Sequence, residues 1–150
     1  LTVIPFGNGA ERILENKNIG SKFVGLDFNR HTRSHLLRAA QEGIAFSFKY
    51  GIDIMKEMGM AIRVIRAGNA NMFLSPIFRQ TLANISGATI ELYDTDGAQG
   101  SARGAAVGAG LFASFHDAFK SLRKIEEILS SEDEVVVTQR AYDRWLSYLH

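Results

Sequence analysis

The sequence predicts an α/β domain in which a small central sheet of short parallel strands is flanked by helices. Three observations lead there. An amphipathic repeat too long for a strand fills residues 32–58, short apolar runs follow at 61–67 and 89–93, and a second helical repeat separates those two runs. Helix, strand, helix, strand, helix in that order is the pattern of parallel strands joined by crossover helices.

Residues 1–30 carry Gly7, Gly9, Gly20 and Gly25 among the short apolar runs Val3-Ile4 and Phe23-Val24, which predicts loop with one or two short strands leading into the core. Thr32 is placed to cap a helix. From there Leu37, Ala40, Ile44, Phe48, Ile52, Met55 and Met58 recur three or four residues apart, giving one long helix that Gly59 ends. The run 61–67, interrupted by Arg63 and Arg66, is a strand. Ser75-Pro76 fits an N-cap followed by proline in the first turn, with Ile77, Phe78, Leu82 and Ile85 on the apolar side and Gly87 closing the helix. A second strand at 89–93 runs into Asp94-Thr95-Asp96-Gly97, a turn by composition.

The next helix is built of small residues. Gly100, Gly104 and Gly108 alternate with Ala102, Ala105, Ala106 and Ala109, and each helical glycine costs about 1 kcal/mol relative to alanine. Close approach of another backbone is the expected reason. Phe112, Phe115, Phe119 and Leu122 carry the helical pattern on to about Leu129, with these aromatics as core or docking residues, some partly exposed. Residues 130–134 form an acidic break, and a last helix over 138–150 docks on the body through Tyr142, Trp145, Leu146 and Leu149. The expected sheet joins the two interior strands to one near Phe23.

The bulk composition bounds the function. With 150 residues, 46% hydrophobic and 22% charged, the chain matches one globular domain. A net charge of +1 with dispersed basic residues argues against nucleic acid as a partner. No cysteine is present, so disulfides and thiolate metal sites are excluded, and a cytoplasmic setting is compatible with that usage. No apolar run approaches the roughly 18 residues of a membrane span, which predicts no membrane partner. The chain opens on Leu1 inside an apolar run and is read as a piece of a longer one.

Ala67-Gly68-Asn69-Ala70-Asn71 is the strongest site candidate. A tight turn at the carboxyl end of a strand, followed by a helix N-terminus, offers backbone N–H groups to a phosphate or nucleotide. The segment is neither a P-loop, lacking Gly-Lys-Ser/Thr, nor a dinucleotide fingerprint, and a structural turn is the competing reading. His31 and His35 stand four apart, but Thr32 occupies the place where a zinc-protease helix needs Glu, so His35 is expected to bond locally and no metal site is assigned. Asp27, Asp94 and Asp96 are read as caps or turn carboxylates, none of them catalytic.

Four ordered elements carry a resemblance: Gly25-Leu26-Asp27-Phe28, the stretch from His31 to Phe46, the segment from Ala67 to Ala83, and Gly104-Ala105-Ala106-Val107-Gly108-Ala109. Together the span 6–113 resembles the carboxy-terminal domain of the FGGY carbohydrate kinases, most closely their xylulokinase-like members. The resemblance implies the carboxy-terminal half of an actin-like, ribonuclease H-like ATPase fold, with ATP and a sugar held between two domains. It implies γ-phosphoryl transfer from ATP to a sugar hydroxyl, D-xylulose first, with Mg²⁺ and an Asp general base. Glycerol, gluconate or another pentulose is the runner-up acceptor.

By position, Gly68 is then expected beside the phosphates and Asn71 at the adenosine part, with Ala67, Asn69 and Ala70 shaping the wall and Gly104 on a nearby helix turn. Relatives with consecutive glycines leave more room than Ala67 and Asn69 do. Glu11 and Arg12 fall in a loop expected at the sugar cleft or the domain interface, a solvated loop pair being the plainer reading. The family's catalytic Asp lies upstream of the matched span, so no catalytic residue is assigned and the isolated chain is expected to be inactive. Its expected partner is the amino-terminal kinase domain, without which a bared apolar patch favours homo-oligomers. The different classes kept open are a noncatalytic actin-like nucleotide-binding module and a plain α/β interaction domain.

Overall fold

The computed structural model describes residues 1–9 and 11–149. Strand β1 (Thr2–Ile4) pairs antiparallel with β2 (Lys22–Val24), placing Val3 opposite Phe23. Helix α1 (Arg33–Glu57) follows, and then β3 (Val64–Gly68) and β4 (Thr89–Tyr93) lie parallel, connected by helix α2 (Pro76–Ser86). After helices α3 (Gly97–Gly108) and α4 (Phe115–Phe119), strand β5 (Lys124–Ile128) returns antiparallel on the far side of β4. Helix α5 (Glu132–Leu146) ends the described structure apart from a short turn. The main sheet has the order β3-β4-β5.

The signals for α2 act as expected. The Ser75 hydroxyl accepts the Phe78 N–H at 3.4 Å, Pro76 stands in the first turn, and Gly87 closes the helix at φ 68°. A short 3-10 turn, Asn71–Leu74, intervenes between β3 and this cap.

Three expectations are corrected. The strand near Phe23 does not join the main sheet; it pairs with β1 in a separate two-stranded sheet. Residues 124–128 are a strand and not the continuation of a helix, because α4 ends at Phe119 and the open edge of β4 takes the returning segment, burying Ile128. The last helix starts at Glu132, well before Thr138. Glu132, Asp133 and Glu134, read as a break, fill its first turn, where negative charge meets the positive end of the helix dipole.

Two apolar clusters hold the fold. One gathers Ile4, Phe6, Phe46, Tyr142, Trp145 and Leu149 where β1, α1 and α5 meet. Trp145 is fully buried there and its Nε1–H donates to the Val3 carbonyl at 3.0 Å. A Cβ at Gly43 would stand 2.3 Å from that same carbonyl oxygen, so the glycine lets α1 lie against β1. Lys49 pairs with Asp53 on α1, and the Tyr142 hydroxyl donates to Asp53 Oδ2 at 3.0 Å, fastening α5 down. The second cluster joins Ala45 and Ile52 of α1 to Phe78 and Leu82 of α2 and to Ile90, Leu92 and Ile128 of the sheet.

The α1 stripe is buried only in part, since Leu37, Phe48 and Met58 stay exposed while Ala39, Gly43, Phe46 and Lys49 are buried. Neighbours on two sides, β1 with α5 and α2 with the sheet, select two faces of the helix where one repeat predicted one.

The small-residue helix is also corrected. No residue of α3 is buried, and a Cβ at Gly100, Gly104 or Gly108 would meet nothing within 4 Å. The close backbone approach expected here is absent because α3 packs chiefly on α4 and leaves its glycines facing open space. Phe112 and Phe115 are exposed, and Phe119 is half-buried.

Candidate functional site

Because β3 and β4 are parallel neighbours, their carboxyl ends and the turns that follow meet at one edge of the sheet. Gly68 ends β3 opposite Tyr93. A Cβ at position 68 would stand 2.5 Å from the Thr95 carbonyl oxygen, so only glycine admits the turn that follows β4. The Tyr93 carbonyl accepts both the Asn69 N–H at 2.9 Å and the Thr95 N–H at 2.8 Å, and the Gly68 carbonyl accepts the Ala70 N–H at 2.8 Å. The amides of Asn69 and Ala70, expected to be offered to a ligand, are therefore satisfied within the turn. Asn71 is exposed and adopts φ 52°, a left-handed conformation that asparagine tolerates better than most side chains.

Two cavities flank this turn. One, of about 390 Å³, is lined by Ala67, Gly68, Ala70 and Asn71 together with Phe48, Phe73, Asp96 and Gly97. The other, of about 430 Å³, is lined by Tyr93, Thr95, Phe119 and Leu122 and shares Arg66, Ala67 and Gly68 with the first. Four of the five turn residues singled out from the sequence thus face one cavity, and Asn69 lines neither.

Gly104 lines neither cavity. Its neighbour Arg103 reaches back, donating from Nη1 to the Thr95 hydroxyl at 2.8 Å and standing 5.8 Å from the centroid of the Phe119 ring. Glu11 and Arg12 lie apart from Gly68: Glu11 forms a backbone bridge to Lys17, and Arg12 borders an apolar groove of about 600 Å³ with Ile13, Gly51 and Met55. Phe48 borders both that groove and the Asn71 cavity.

Charge at the sheet is tied up in a hub. Glu91 Oε2 accepts Arg66 Nε at 2.9 Å and the Tyr93 hydroxyl at 2.9 Å, and Oε1 accepts Lys124 Nζ at 3.3 Å. These hydrogen bonds, Arg66 first, hold the Glu91 carboxyl down to about 2, and Arg66 is raised by the same contact. Arg66 is accordingly committed to the sheet.

The carboxylates near the turns are caps. Asp27 accepts the Asn29 N–H at 2.9 Å, Asp94 accepts the Arg123 N–H at 2.8 Å, and Asp96 accepts the Gln99 N–H at 2.8 Å at the start of α3. His35 Nδ1 accepts the Thr32 N–H at 3.1 Å, the local bond expected of it. Among the described residues no group of three or more His, Asp or Glu could hold a metal ion.

Thr95, Arg103, Phe119 and Phe48 escaped the sequence reading. Thr95 was legible in principle, since the residues after each of two parallel neighbours converge on one edge. Phe48 and Phe119 had no local signal, because an aromatic on a helical repeat reads as core.

The model of the FGGY family of carbohydrate kinases, C-terminal domain, matches residues 1–113, and the chain belongs to that family. It is similar to the xylulose kinase of Haemophilus influenzae, with 28% identity over 99% of this chain and 31% of that protein. It is similar also to the L-xylulose/3-keto-L-gulonate kinase of Escherichia coli, with 32% identity over 97% of this chain and 29% of the relative. Less than a third of each relative's length is spanned. Among solved structures, the xylulose kinase from Rhodospirillum rubrum superposes with a TM-score of 0.73 at 23% identity, covering 98% of this chain and 29% of that one. Gluconate kinase from Lactobacillus acidophilus gives 0.76 at 21% identity, covering 98% and 30%. The expected fold class holds: mixed α/β with small sheets and flanking helices, the carboxy-terminal part of an actin-like ATPase fold.

Proposed function

We propose that this chain is the nucleotide-binding portion of an ATP-dependent sugar kinase that transfers the γ-phosphoryl group to a hydroxyl of D-xylulose. The observation that carries the reading is the cavity at the carboxyl ends of β3 and β4, bordered by Gly68, Ala70 and Asn71, in a chain of the FGGY family. Gly68 lets the turns after β3 and β4 close on each other beside the cavity, and Asn71 presents a side-chain amide able both to donate to and to accept from a base or ribose. Mg²⁺, when bound with ATP, neutralises charge on the transferring phosphoryl group; this chain positions the nucleotide and leaves sugar and base to the rest of the polypeptide. A cytoplasmic, sugar-consuming role is part of this reading.

A kinase acting on gluconate, glycerol or another pentulose is the second reading, favoured by the E. coli relative named for two substrates and by the gluconate kinase neighbour. Initial rates of ADP formation by the full-length enzyme with each sugar decide between them. A kcat/KM for D-xylulose at least tenfold above those for the others is expected. Saturable Mg-ADP binding with no turnover of any sugar would instead identify a noncatalytic module, and no binding at millimolar Mg-ADP would leave a plain interaction domain.

A further inference from the structure

Asn71 opens a turn whose hold on the rest of the fold is narrow. The backbone of 68–75 bonds mostly to itself: the Ala70 N–H donates to the Gly68 carbonyl at 2.8 Å, the Phe73 N–H to the Ala70 carbonyl at 3.1 Å and the Ser75 N–H to the Met72 carbonyl at 3.0 Å. At the upstream end the Asn69 N–H ties the turn to the Tyr93 carbonyl at 2.9 Å. At the downstream end the fastening is made by side chains, the Ser75 hydroxyl donating to Gln41 Oε1 on α1. Among the described residues this is the only side-chain hydrogen bond between 70–75 and an element other than α2.

Ser75 has one hydroxyl proton and a cap to maintain. Its oxygen accepts the Phe78 N–H at 3.4 Å, which leaves the proton to point elsewhere, and Gln41 is the acceptor that takes it. The rotation of the hydroxyl is thereby set. Packing holds the inner side of the turn, where Phe73 stands edge-on to Phe78 with centroids 5.3 Å apart and Met72 lies against the same cluster, while Asn71 stays exposed at the cavity. Gln41 stands on a firm base, because two residues further along α1 Gly43 brings the helix against the Val3 carbonyl.

We infer that Gln41 is a positioning residue for the nucleotide: by holding Ser75 from the neighbouring helix it fixes the turn that presents Asn71 to the cavity. The inference rests on the nucleotide reading of that cavity. Gln41 borders neither cavity beside Gly68, so its influence runs through Ser75. Without the glutamine oxygen the Ser75 hydroxyl loses its acceptor and the turn 71–74 can shift, which weakens nucleotide binding in ground and transition states alike and raises the ATP KM at constant kcat. General destabilisation acts differently. It lowers the folded fraction, so the apparent kcat falls while the KM of the surviving enzyme stays the same.

Initial rates of the full-length kinase at saturating sugar, with ATP varied, test this in three variants. Gln41→Met keeps the length and helical tendency of the side chain but removes its oxygen, and is expected to raise the ATP KM by roughly 3- to 10-fold, the range for losing one hydrogen bond, with kcat held. Gln41→Glu keeps an acceptor and is expected to stay within about twofold of the parent. An unchanged ATP KM in Gln41→Met, or a lowered kcat at unchanged KM, overturns the inference, as does Gln41→Glu impaired as much as Gln41→Met. Asn71→Gly, run alongside, separates the two readings. If it raises the ATP KM and Gln41→Met does not, the positioning role alone falls; if neither moves the ATP KM, the nucleotide reading falls with it.

Discussion

The carbonyl oxygen of Thr95 occupies the place where a side chain on residue 68 would begin, 2.5 Å from the position of a Cβ there. Glycine at 68 is thus required by the packing of two turns before any ligand enters. Gly68→Ala is expected to destabilise the chain by about 1–3 kcal/mol, the range for forcing an extra carbon into a packed site. Urea denaturation measures it; an unchanged midpoint would mean that the β4 turn yields freely.

Loss of nucleotide binding in a Gly68 variant therefore says little about contact, and Asn71 is the better probe. Asn71→Gly keeps the left-handed backbone and removes only the side chain, so melting should stay within about 0.5 kcal/mol while Mg-ADP affinity of the full-length kinase falls. Asn71→Ala should lose about 1 kcal/mol of stability as well. Calorimetric titration showing undiminished affinity in the glycine variant would remove Asn71 from the site.

On α3 the expected sign is opposite. Gly104 meets nothing within 4 Å, so Gly104→Ala should stabilise the helix by roughly 0.5–1 kcal/mol, read as a rise in Tm. A fall in Tm would show that something outside these residues rests against that face.

Trp145→Ala removes a fully buried ring and its bond to the Val3 carbonyl, and should cost about 3–5 kcal/mol. Far-UV circular dichroism during urea titration reports it. A smaller loss would mean that α5 is not an integral part of the core.

Acid should loosen the main sheet through Glu91. Its carboxyl is held down to about 2 in the folded chain from an ordinary value of 4.5, so its stabilising contribution is present above the ordinary value and is lost as pH falls toward about 2. Glu91→Gln should flatten that part of the stability-against-pH curve. An unaltered acid limb in the variant would place the sensitivity elsewhere.

The elements with strong local punctuation were legible in the sequence. Ser75-Pro76 and Gly87 bracket α2 because caps act within one turn, and the 89–93 run is β4 because its alternation survives in a half-buried strand. β5 was not legible: Lys-Ile-Glu-Glu-Ile has weak strand character, and only the free edge of β4 makes it one. Glycine misled in a specific way. The helical position that needs a missing Cβ for close approach is Gly43 in α1, while Gly51 of the same helix and the conspicuous series in α3 have no such need. At the candidate site, the turn 67–71 was visible, but the partner turn at Thr95 follows from strand adjacency and not from sequence neighbours.

Asp94 and Arg123 meet at the base of the α3–α4 excursion, through the Asp94 N–H to the Arg123 carbonyl at 3.1 Å and the Arg123 N–H to Asp94 Oδ1 at 2.8 Å. The pair works as a buckle. Helices α3 and α4 between them pack chiefly on each other, so the buckle holds the register of β4 and β5 independently of that cassette. Phe119 and Leu122 of the cassette line the cavity beside Gly68, so a change in the cassette would reshape that cavity without rebuilding the sheet beneath.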